Sequence, residues 1–254
     1  MNKNDTLLEF VPFSFPEVPG VRVLFQMRVT GGTLEEQGNV SLDVFEDRAA
    51  AVRNREELCR ACGAAPAELK QVHGTAMVFD PAPMDCGAPS AVEADGMATA
   101  RRNSPLMIKT ADCQPLFVTD ASGSFACALH NGWKGNRQGF PALAVPMLCK
   151  RYGVLPEELF AVRGPSLGPA SSFFVRYGEE WGPSFDRWHD VPAGTVDLWK
   201  MTEDQLVSAG VPRSHIFSVP FDTFACSLPG SYPAFFSYRR SRVTGRQASL
   251  IWLE

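Results

Sequence analysis

Hydrophobic and polar residues alternate along short stretches of the chain, and this alternation predicts β-strands. Apolar side chains occupy every second position from Val21 to Met27, ahead of a turn at Gly31-Gly32. Further strand-like segments cover residues 69–72, 76–79, 106–109, 115–119, 125–129, 159–162, 216–219, 235–238 and 247–253.

Three segments have helical composition instead. The first runs from Asp47 to Cys62 and stops at Gly63, and the others cover residues 137–152 and 198–209, each followed by a glycine. Strands outnumber helices and do not alternate with them regularly, which argues against a doubly wound parallel fold. The pattern predicts an α/β (α+β) protein, with a mixed β-sheet core in a layered sandwich and helices packed outside.

One pair of predicted strands has a clear connection. The segment 119–123, Thr-Asp-Ala-Ser-Gly, separates two apolar strands and is typical of a tight hairpin turn. Such a hairpin would place Cys113 and His130 near the same end of adjacent strands.

Composition narrows the class of protein. The 254 residues are 45% hydrophobic, enough for one large domain over 1–254. Lys and Arg are scattered and the net charge is -4, which predicts a small-molecule ligand and no nucleic-acid partner. The first ten residues lack the apolar core of a secretory signal, no apolar run approaches the roughly 20 residues that span a bilayer, and the seven cysteines are irregularly spaced. We expect a cytoplasmic protein without membrane contact; its oligomeric state is left open.

Candidate chemistry concentrates at strand ends. His73 and His130 each stand where a predicted strand meets a glycine turn, and Cys113 lies at a break between two apolar strands. Two imidazoles and one thiolate suit zinc and leave a fourth position open, as in catalytic zinc sites. Their separation along the chain matches no local zinc signature, so packed and hydrogen-bonded side chains remain the alternative.

Six motifs resemble one family in sequence and in order. They are QVHGT (71–75), ADG (94–96), TADC (110–113), HNGWKG (130–135), GPSLGP (164–169) and FFSYRRSRVTGR (235–246). This series resembles the laccase-domain, YfiH-like family, from about residue 25 to the C-terminal strand.

The resemblance implies an activity, a metal and a fold. Family members are similar to a zinc-dependent purine nucleoside phosphorylase that acts on adenosine, inosine and methylthioadenosine and also deaminates adenosine. Nucleoside and phosphate would then be the partners. The metal ligands of the family fall here on His73, Cys113 and His130, and the family fold is cysteine-hydrolase-like.

Other residues receive provisional roles. We assign Asp112 a catalytic role beside Cys113, although a turn-forming aspartate is the alternative, and Asp95 carries the same ambiguity. The candidates for substrate contact are Asn39, Arg55, Lys134 and Arg239, with Arg240 and Arg246 as further cations for phosphate.

Two departures from the family pattern bear on substrate choice. The family string HAGWRG reads HNGWKG here, so Asn131 and Lys134 replace Ala and Arg. Because lysine presents a point charge in place of a planar fork, bidentate phosphate binding there is in doubt.

Three alternative functions stay open. A copper-dependent polyphenol oxidase could use the same ligands, although four histidines are too few for a trinuclear copper centre. A metal-free cysteine hydrolase would use Cys113 as nucleophile and His130 as base. A non-catalytic binding role would follow if the changes at Asn131 and Lys134 disabled the site.

Overall fold

The computed structural model describes residues 8–29, 33, 36–45 and 48–254. The predicted turn at Gly31-Gly32, the predicted helix start at Asp47 and most of the segment screened for a secretory signal lie outside these residues. Within them, no helix is long and apolar enough to cross a membrane.

The strands form two main sheets and two short ribbons. Their bounds are β1 Glu9–Phe13, β2 Val21–Met27, β3 Met77–Phe79, β4 Gly96–Thr99, β5 Leu106–Thr110, β6 Gln114–Asp120, β7 Ala126–Asn131, β8 Leu159–Arg163, β9 His189–Asp190, β10 Thr195–Val196, β11 Ile216–Ser218, β12 Ser227–Leu228, β13 Tyr232–Pro233 and β14 Gln247–Leu253. The smaller main sheet has the order β1-β2-β14-β5 and is antiparallel. The larger has the order β11-β8-β6-β7-β4-β3 and is mixed, with parallel pairs at both edges.

Within the described residues, five α-helices accompany the sheets. They are α1 Ala49–Cys62, α2 Trp133–Arg137, α3 Phe140–Tyr152, α4 Tyr177–Glu180 and α5 Leu198–Ser208, with 3₁₀ turns at Pro156–Glu158, Pro169–Ser171, Pro183–Trp188 and Arg213–His215. The helix predicted over 137–152 begins only at Phe140, as α3, because Gly139 takes a left-handed conformation (φ 74°) after α2 has ended at Arg137.

Alternating side chains along each strand build the layers. On β6, Phe117 points into the apolar core between the two sheets, where it stacks on Phe25 of β2. Its neighbours Leu116 and Val118 point the other way and pack against α3 and α5. On the far side of the smaller sheet, Leu58 of α1 packs against β5 and β14. The mixed sheets with helices outside confirm the predicted fold class, whereas the cysteine-hydrolase likeness stays a prediction.

The predicted strands fit the structure except at two places. The predicted hairpin is confirmed, with β6 and β7 antiparallel around residues 121–124. Residues 69–72 form no strand. Lys70 makes only an isolated bridge with Glu93, and the backbone N–H groups of residues 72–74 donate to the side chain of Asp95. Residues 235–238 form no strand either, because the buried Gln247 side chain satisfies both backbone groups of Phe236.

Arg55 lies inside the protein. Its guanidinium is fully buried and forms a two-bond ion pair with Glu68, at 2.9 and 2.6 Å. Lys109 also donates to Glu68. Burial raises the pKa of Glu68, but its bonds to Arg55 and Lys109 outweigh this and hold the pKa below its usual value. The structure therefore argues against the expected substrate contact by Arg55 and assigns it to the interior.

Glu68→Gln should destabilise the protein strongly. Removing the carboxylate leaves the Arg55 charge buried and uncompensated, which costs roughly 3–5 kcal/mol. Urea unfolding measures this loss. The matched control is Glu93→Gln, which breaks the exposed Lys70–Glu93 pair and should leave the free energy of unfolding almost unchanged, because water screens an exposed ion pair. Equal losses in the two variants would contradict the assignment of Arg55 to the core.

Candidate metal centre

His73, Cys113 and His130 converge from three separate places in the chain. One ligand atom from each lies within 4.8 Å of the others, and Cys113 Sγ is 3.8 Å from His73 Nε2. The two imidazole rings meet edge to face, with centroids 4.8 Å apart. Among the described residues, this is the group of His, Cys and acidic side chains that could hold a metal ion.

The β6–β7 hairpin places two of the three side chains. In its register Pro115 lies opposite His130, so Cys113, immediately before β6, comes to the same end of the hairpin. Both strands are buried along their whole length. His73 arrives from the loop before β3 in a left-handed conformation (φ 61°), which is unfavourable for a residue other than glycine.

A buried carboxylate, Asp95, joins the loop to the hairpin. It accepts hydrogen bonds from the backbone N–H groups of Val72 (3.2 Å), His73 (2.9 Å) and Gly74 (2.6 Å). It also lies 2.7 Å from Nδ1 of His130. Because a carboxylate only accepts, Nδ1 carries the proton and Nε2 of His130 is left to face a metal.

The charges at the centre stabilise one another. Burial raises the pKa of Asp95, but the hydrogen bonds from His130 and from the Gly74 and His73 backbone outweigh it, so its pKa is lowered. Burial also opposes charge on Cys113, yet the neighbouring His130 and His73 bring the pKa of that thiol down to about 6. In the metal-free protein, Cys113 and Asp95 in turn overcome burial and raise the pKa of His130 to about 9. A thiolate is thus available at neutral pH, which metal ligation and nucleophilic attack both require.

These side chains fit a tetrahedral metal ion. With Zn–N near 2.0 Å and Zn–S near 2.3 Å, ligand atoms around zinc lie about 3.3–3.6 Å apart. This is shorter than the 3.8 Å between Cys113 Sγ and His73 Nε2 and than the 4.8 Å limit for the group, so the side chains would draw together slightly around an ion. A Cβ at Gly132 would lie 2.8 Å from Cys113 Sγ, so only glycine lets the chain pass this close. His130 is buried while His73 is exposed, and the exposed side leaves room for a fourth ligand.

Asp112 is engaged in holding loops together. Its carboxylate accepts from Thr223 Oγ1 (2.8 Å) and from the backbone N–H of Arg239 (2.6 Å), and its carbonyl accepts from Leu167 N–H. The carboxylate that orients a ligand imidazole is Asp95. These bonds place the Asp112 carboxylate between loops next to Cys113, and its catalytic role stays a prediction.

Asn39 also acts on the backbone. It is fully buried, and its side-chain oxygen accepts from the N–H groups of Ser41 (3.0 Å) and Arg246 (2.9 Å). Its amide nitrogen donates to Ser41 O. With both ends occupied, Asn39 is not placed to contact substrate as expected, but it fixes the backbone of Arg246.

The cationic candidates differ in placement. Arg246 is half-buried, and although burial lowers its pKa, Cys113 and Asp112 lie close enough to act on its charge in the opposite direction. Arg239 donates to Phe173 O and lies over the ring of Phe174. Lys134 is exposed on α2, with its ammonium 5.8 Å from the ring centroid of Trp133. Within the described residues, neither the Lys134 nor the Arg239 side chain forms a hydrogen bond or an ion pair with the three converging side chains.

Asn131 points away from the centre. Its amide donates to Thr202 Oγ1 of α5 (3.0 Å), in a buried polar group that includes Gln114 and Asn136. Because successive side chains on β7 face opposite sides, His130 turns to the centre and Asn131 to α5. The departure at Asn131 therefore leaves the converging side chains intact.

The sequence did not identify the roles of two residues near the metal centre, Asp95 and Arg246. Asp95 stands in the ADG motif and Arg246 in the last motif, but nothing in either string shows which backbone or charge it will meet. The only available signal was an aspartate followed by the small Gly96, where a strand begins.

Comparisons with known proteins agree with this geometry. The family model described as multi-copper polyphenol oxidoreductase laccase matches residues 22–254. The chain is 32% identical over 228 residues to "Purine nucleoside phosphorylase PA4543" of Pseudomonas aeruginosa, covering 85% of this chain and 86% of that one. It is 32% identical over 250 residues to "Purine nucleoside phosphorylase ORF3" of Streptomyces griseus, covering 94% and 97%.

A solved structure shares the fold. The crystal structure of the Bacillus licheniformis hypothetical protein YfiH superimposes with a TM-score of 0.79 at 24% identity, covering 99% of this chain and 98% of that one. The resemblance read from the six motifs is confirmed: the chain belongs to the multi-copper polyphenol oxidoreductase laccase family, the YfiH-like family.

Proposed function

We propose that this chain is a zinc-dependent purine nucleoside phosphorylase acting on adenosine, inosine and methylthioadenosine, with adenosine deamination as a second activity. The observation that carries the proposal is the convergence of His73, Cys113 and His130 within 4.8 Å, open on one side. Relatives that cover most of the chain are named purine nucleoside phosphorylases, which supports the same reaction class. We take residues 1–254 to act as one domain, and the seven free thiols support a cytoplasmic location.

The donor set favours zinc. Two neutral imidazoles and a thiolate with an open fourth position are the ligands of catalytic zinc sites. Zinc held there would supply Lewis acidity, the chemistry that deamination at C6 of adenine requires. Asp95 would keep His130 in the ligating tautomer, and the 72–74 backbone would hold His73 in place.

Phosphorolysis also needs a cation that holds phosphate against C1′ of the ribose. Arg246 suits this role best, because it is half-buried and within electrostatic reach of Cys113. Both Arg246 and Arg239 donate to backbone carbonyls, Arg246 to Thr244 O and Gly245 O and Arg239 to Phe173 O. Arg239 and Lys134 remain secondary candidates, since in the described part of the chain neither side chain bonds to the three converging side chains. The order Arg246, Arg239, Lys134 is our proposal for phosphate binding.

A copper-dependent polyphenol oxidase is the second candidate, favoured by the description of the matching family model and by the ability of imidazole and thiolate to bind copper. The described residues bring together one three-ligand group. This arrangement suits a single metal ion better than the multinuclear centre of a multicopper oxidase.

A metal-free cysteine hydrolase is the third candidate. The lowered pKa of Cys113 and the raised pKa of His130 describe a thiolate–imidazolium pair, which is also the resting state of a nucleophilic cysteine. The two mechanisms differ in one respect that can be measured, which is the effect of a chelator.

Cys113→Ala should abolish phosphorolysis. Purified protein incubated with inosine and phosphate should release hypoxanthine, and the variant should lose at least about 10³-fold in kcat/KM, a barrier change of about 4 kcal/mol. The control is Cys149→Ser, which changes a half-buried thiol on α3 and should keep full activity. Hypoxanthine release is followed by chromatography.

The chelator separates the mechanisms. Removing metal should stop hypoxanthine release by the unaltered protein, and adding zinc should restore it. Release that persists without metal, or in Cys113→Ala, would contradict the zinc mechanism. Phenol oxidation restored by copper, with no phosphorolysis under any condition, would favour the oxidase.

Asp95→Asn should weaken metal binding about 10- to 100-fold, as expected when the hydrogen-bond partner of a ligand imidazole is changed. Competition with a chromophoric chelator measures the zinc affinity. The control is Asp120→Asn, because Asp120 likewise accepts backbone N–H bonds, from Ser122 and Ser124 in the distant hairpin turn. Equal zinc affinity in the two variants would refute the orienting role of Asp95.

A further inference from the structure

A depression lies at the carboxyl end of the parallel pair β8 and β11. Its volume is about 360 Å³, and α5 covers it on one side. Ligands of α/β proteins commonly bind outside the carboxyl ends of parallel strands, and pockets for small ligands begin near 300 Å³. None of the three converging metal-ligand candidates lines it.

Its floor is a row of three neighbouring strand positions. Leu116 of β6 and Ser218 of β11 flank Arg163, the last residue of β8, and all three line the cavity. Arg163 is only 5% exposed. Its guanidinium lies 3.9 Å from the ring centroid of Trp199 on α5.

Arg163 is a buried cation without a carboxylate partner. Its Nη1 donates to Gly164 O (3.0 Å) and Ser166 Oγ (3.2 Å), and no acidic oxygen among the described residues lies within 4.0 Å. Nε and Nη2 of Arg163 have no hydrogen-bond partner among the described residues, and neither nitrogen is fully buried. Because Arg163 lines the cavity, the cavity is the space that these two nitrogens face.

This arrangement costs the protein stability. Burial lowers the pKa of Arg163 to about 9, with only partial relief from the charge of Asp197. A buried charge is normally paired, because an unpaired one loses its hydration without compensation. A leucine at position 163 would pack beside Leu116 without this cost. An arginine whose Nε and Nη2 lack partners therefore points to an anionic ligand that pairs with them.

The free edge and the walls define the class of ligand. The two nitrogens form the planar fork that binds a carboxylate through two parallel hydrogen bonds. Asp197 and Glu203 also line the cavity and disfavour a dianion. The remaining cations are engaged, Lys200 with Asp204 and Arg213 with Glu203. Apolar residues, among them Phe217, Leu206 and Trp199, supply the rest of the wall.

We propose that this cavity binds a small monocarboxylic acid with an apolar body, held through Arg163, at a site separate from the metal centre. The proposal does not rest on the phosphorylase activity, because it concerns binding at different residues.

Calorimetric titration with benzoate tests the proposal, with benzamide as the uncharged counterpart of the same shape. The unaltered protein should bind benzoate at least about tenfold more tightly than benzamide, since a charge-assisted pair is worth more than a neutral one. Arg163→Leu should reduce benzoate binding to the benzamide level while leaving the melting temperature unchanged or higher. Arg163→Lys, which keeps the charge and loses the fork, should bind benzoate several-fold more weakly than the unaltered protein.

Two controls locate the site. Arg187→Leu makes the same change at an exposed arginine outside the cavity, which also lies over a tryptophan ring, that of Trp188. This variant should bind benzoate as tightly as the unaltered protein. Cys113→Ala should also bind benzoate normally, so loss of the metal centre does not mask the result. The proposal is overturned if the unaltered protein does not bind benzoate, if Arg163→Leu binds it equally well, if Cys113→Ala loses it, or if inorganic phosphate binds this site more tightly.

Discussion

The buried carboxylate of Asp95 is the contact on which the candidate metal centre depends. It accepts hydrogen bonds from three consecutive backbone N–H groups of the 72–74 loop and from Nδ1 of His130. One side chain therefore sets the conformation of the loop that carries His73 and the tautomer of a second ligand. The unfavourable backbone of His73 persists because these bonds hold it.

The sandwich makes this contact rigid. The β6–β7 hairpin lies at the middle of the larger sheet, with the second sheet on one face and α3 and α5 on the other. Its strands cannot shift without disturbing both cores, so Cys113 and His130 keep a fixed separation. The loops around them are tied down by the side chains of Asp112 and Asn39. Polar side chains that bind backbone groups thus fix the surroundings of the three converging side chains.

Sequence patterns predicted the parts of the molecule that depend on local periodicity. The hairpin between β6 and β7 and the terminal strand β14 follow from alternation and a turn, and His73, Cys113 and His130 follow from motifs at strand ends. The failures share one cause, which is that a side chain far along the chain claims backbone groups that a strand would otherwise use. Asp95 accepts from the N–H groups of residues 72–74, and Gln247 bonds both the N–H and the C=O of Phe236. Likewise, nothing local showed that Arg55 would meet Glu68 inside the core.

Arg163 and Arg55 show how two buried arginines differ. Arg55 is paired with Glu68 in the interior, so its charge is compensated and its burial is compatible with stability. Arg163 bonds only through Nη1, and its other two nitrogens face a cavity without a partner, so a role in stability does not account for it. Both lie outside the metal centre, but α5, which roofs the cavity, also contacts Gln114 and Asn131, the neighbours of Cys113 and His130. The cavity and the metal centre thus share one supporting helix.

We expect His73, Cys113 and His130 to bind one metal ion together. X-ray absorption at the zinc edge, on protein purified without added metal, should show one zinc per chain with a first shell of one sulfur near 2.3 Å and two imidazole nitrogens near 2.0 Å. A protein free of metal, or a first shell without sulfur, would contradict it.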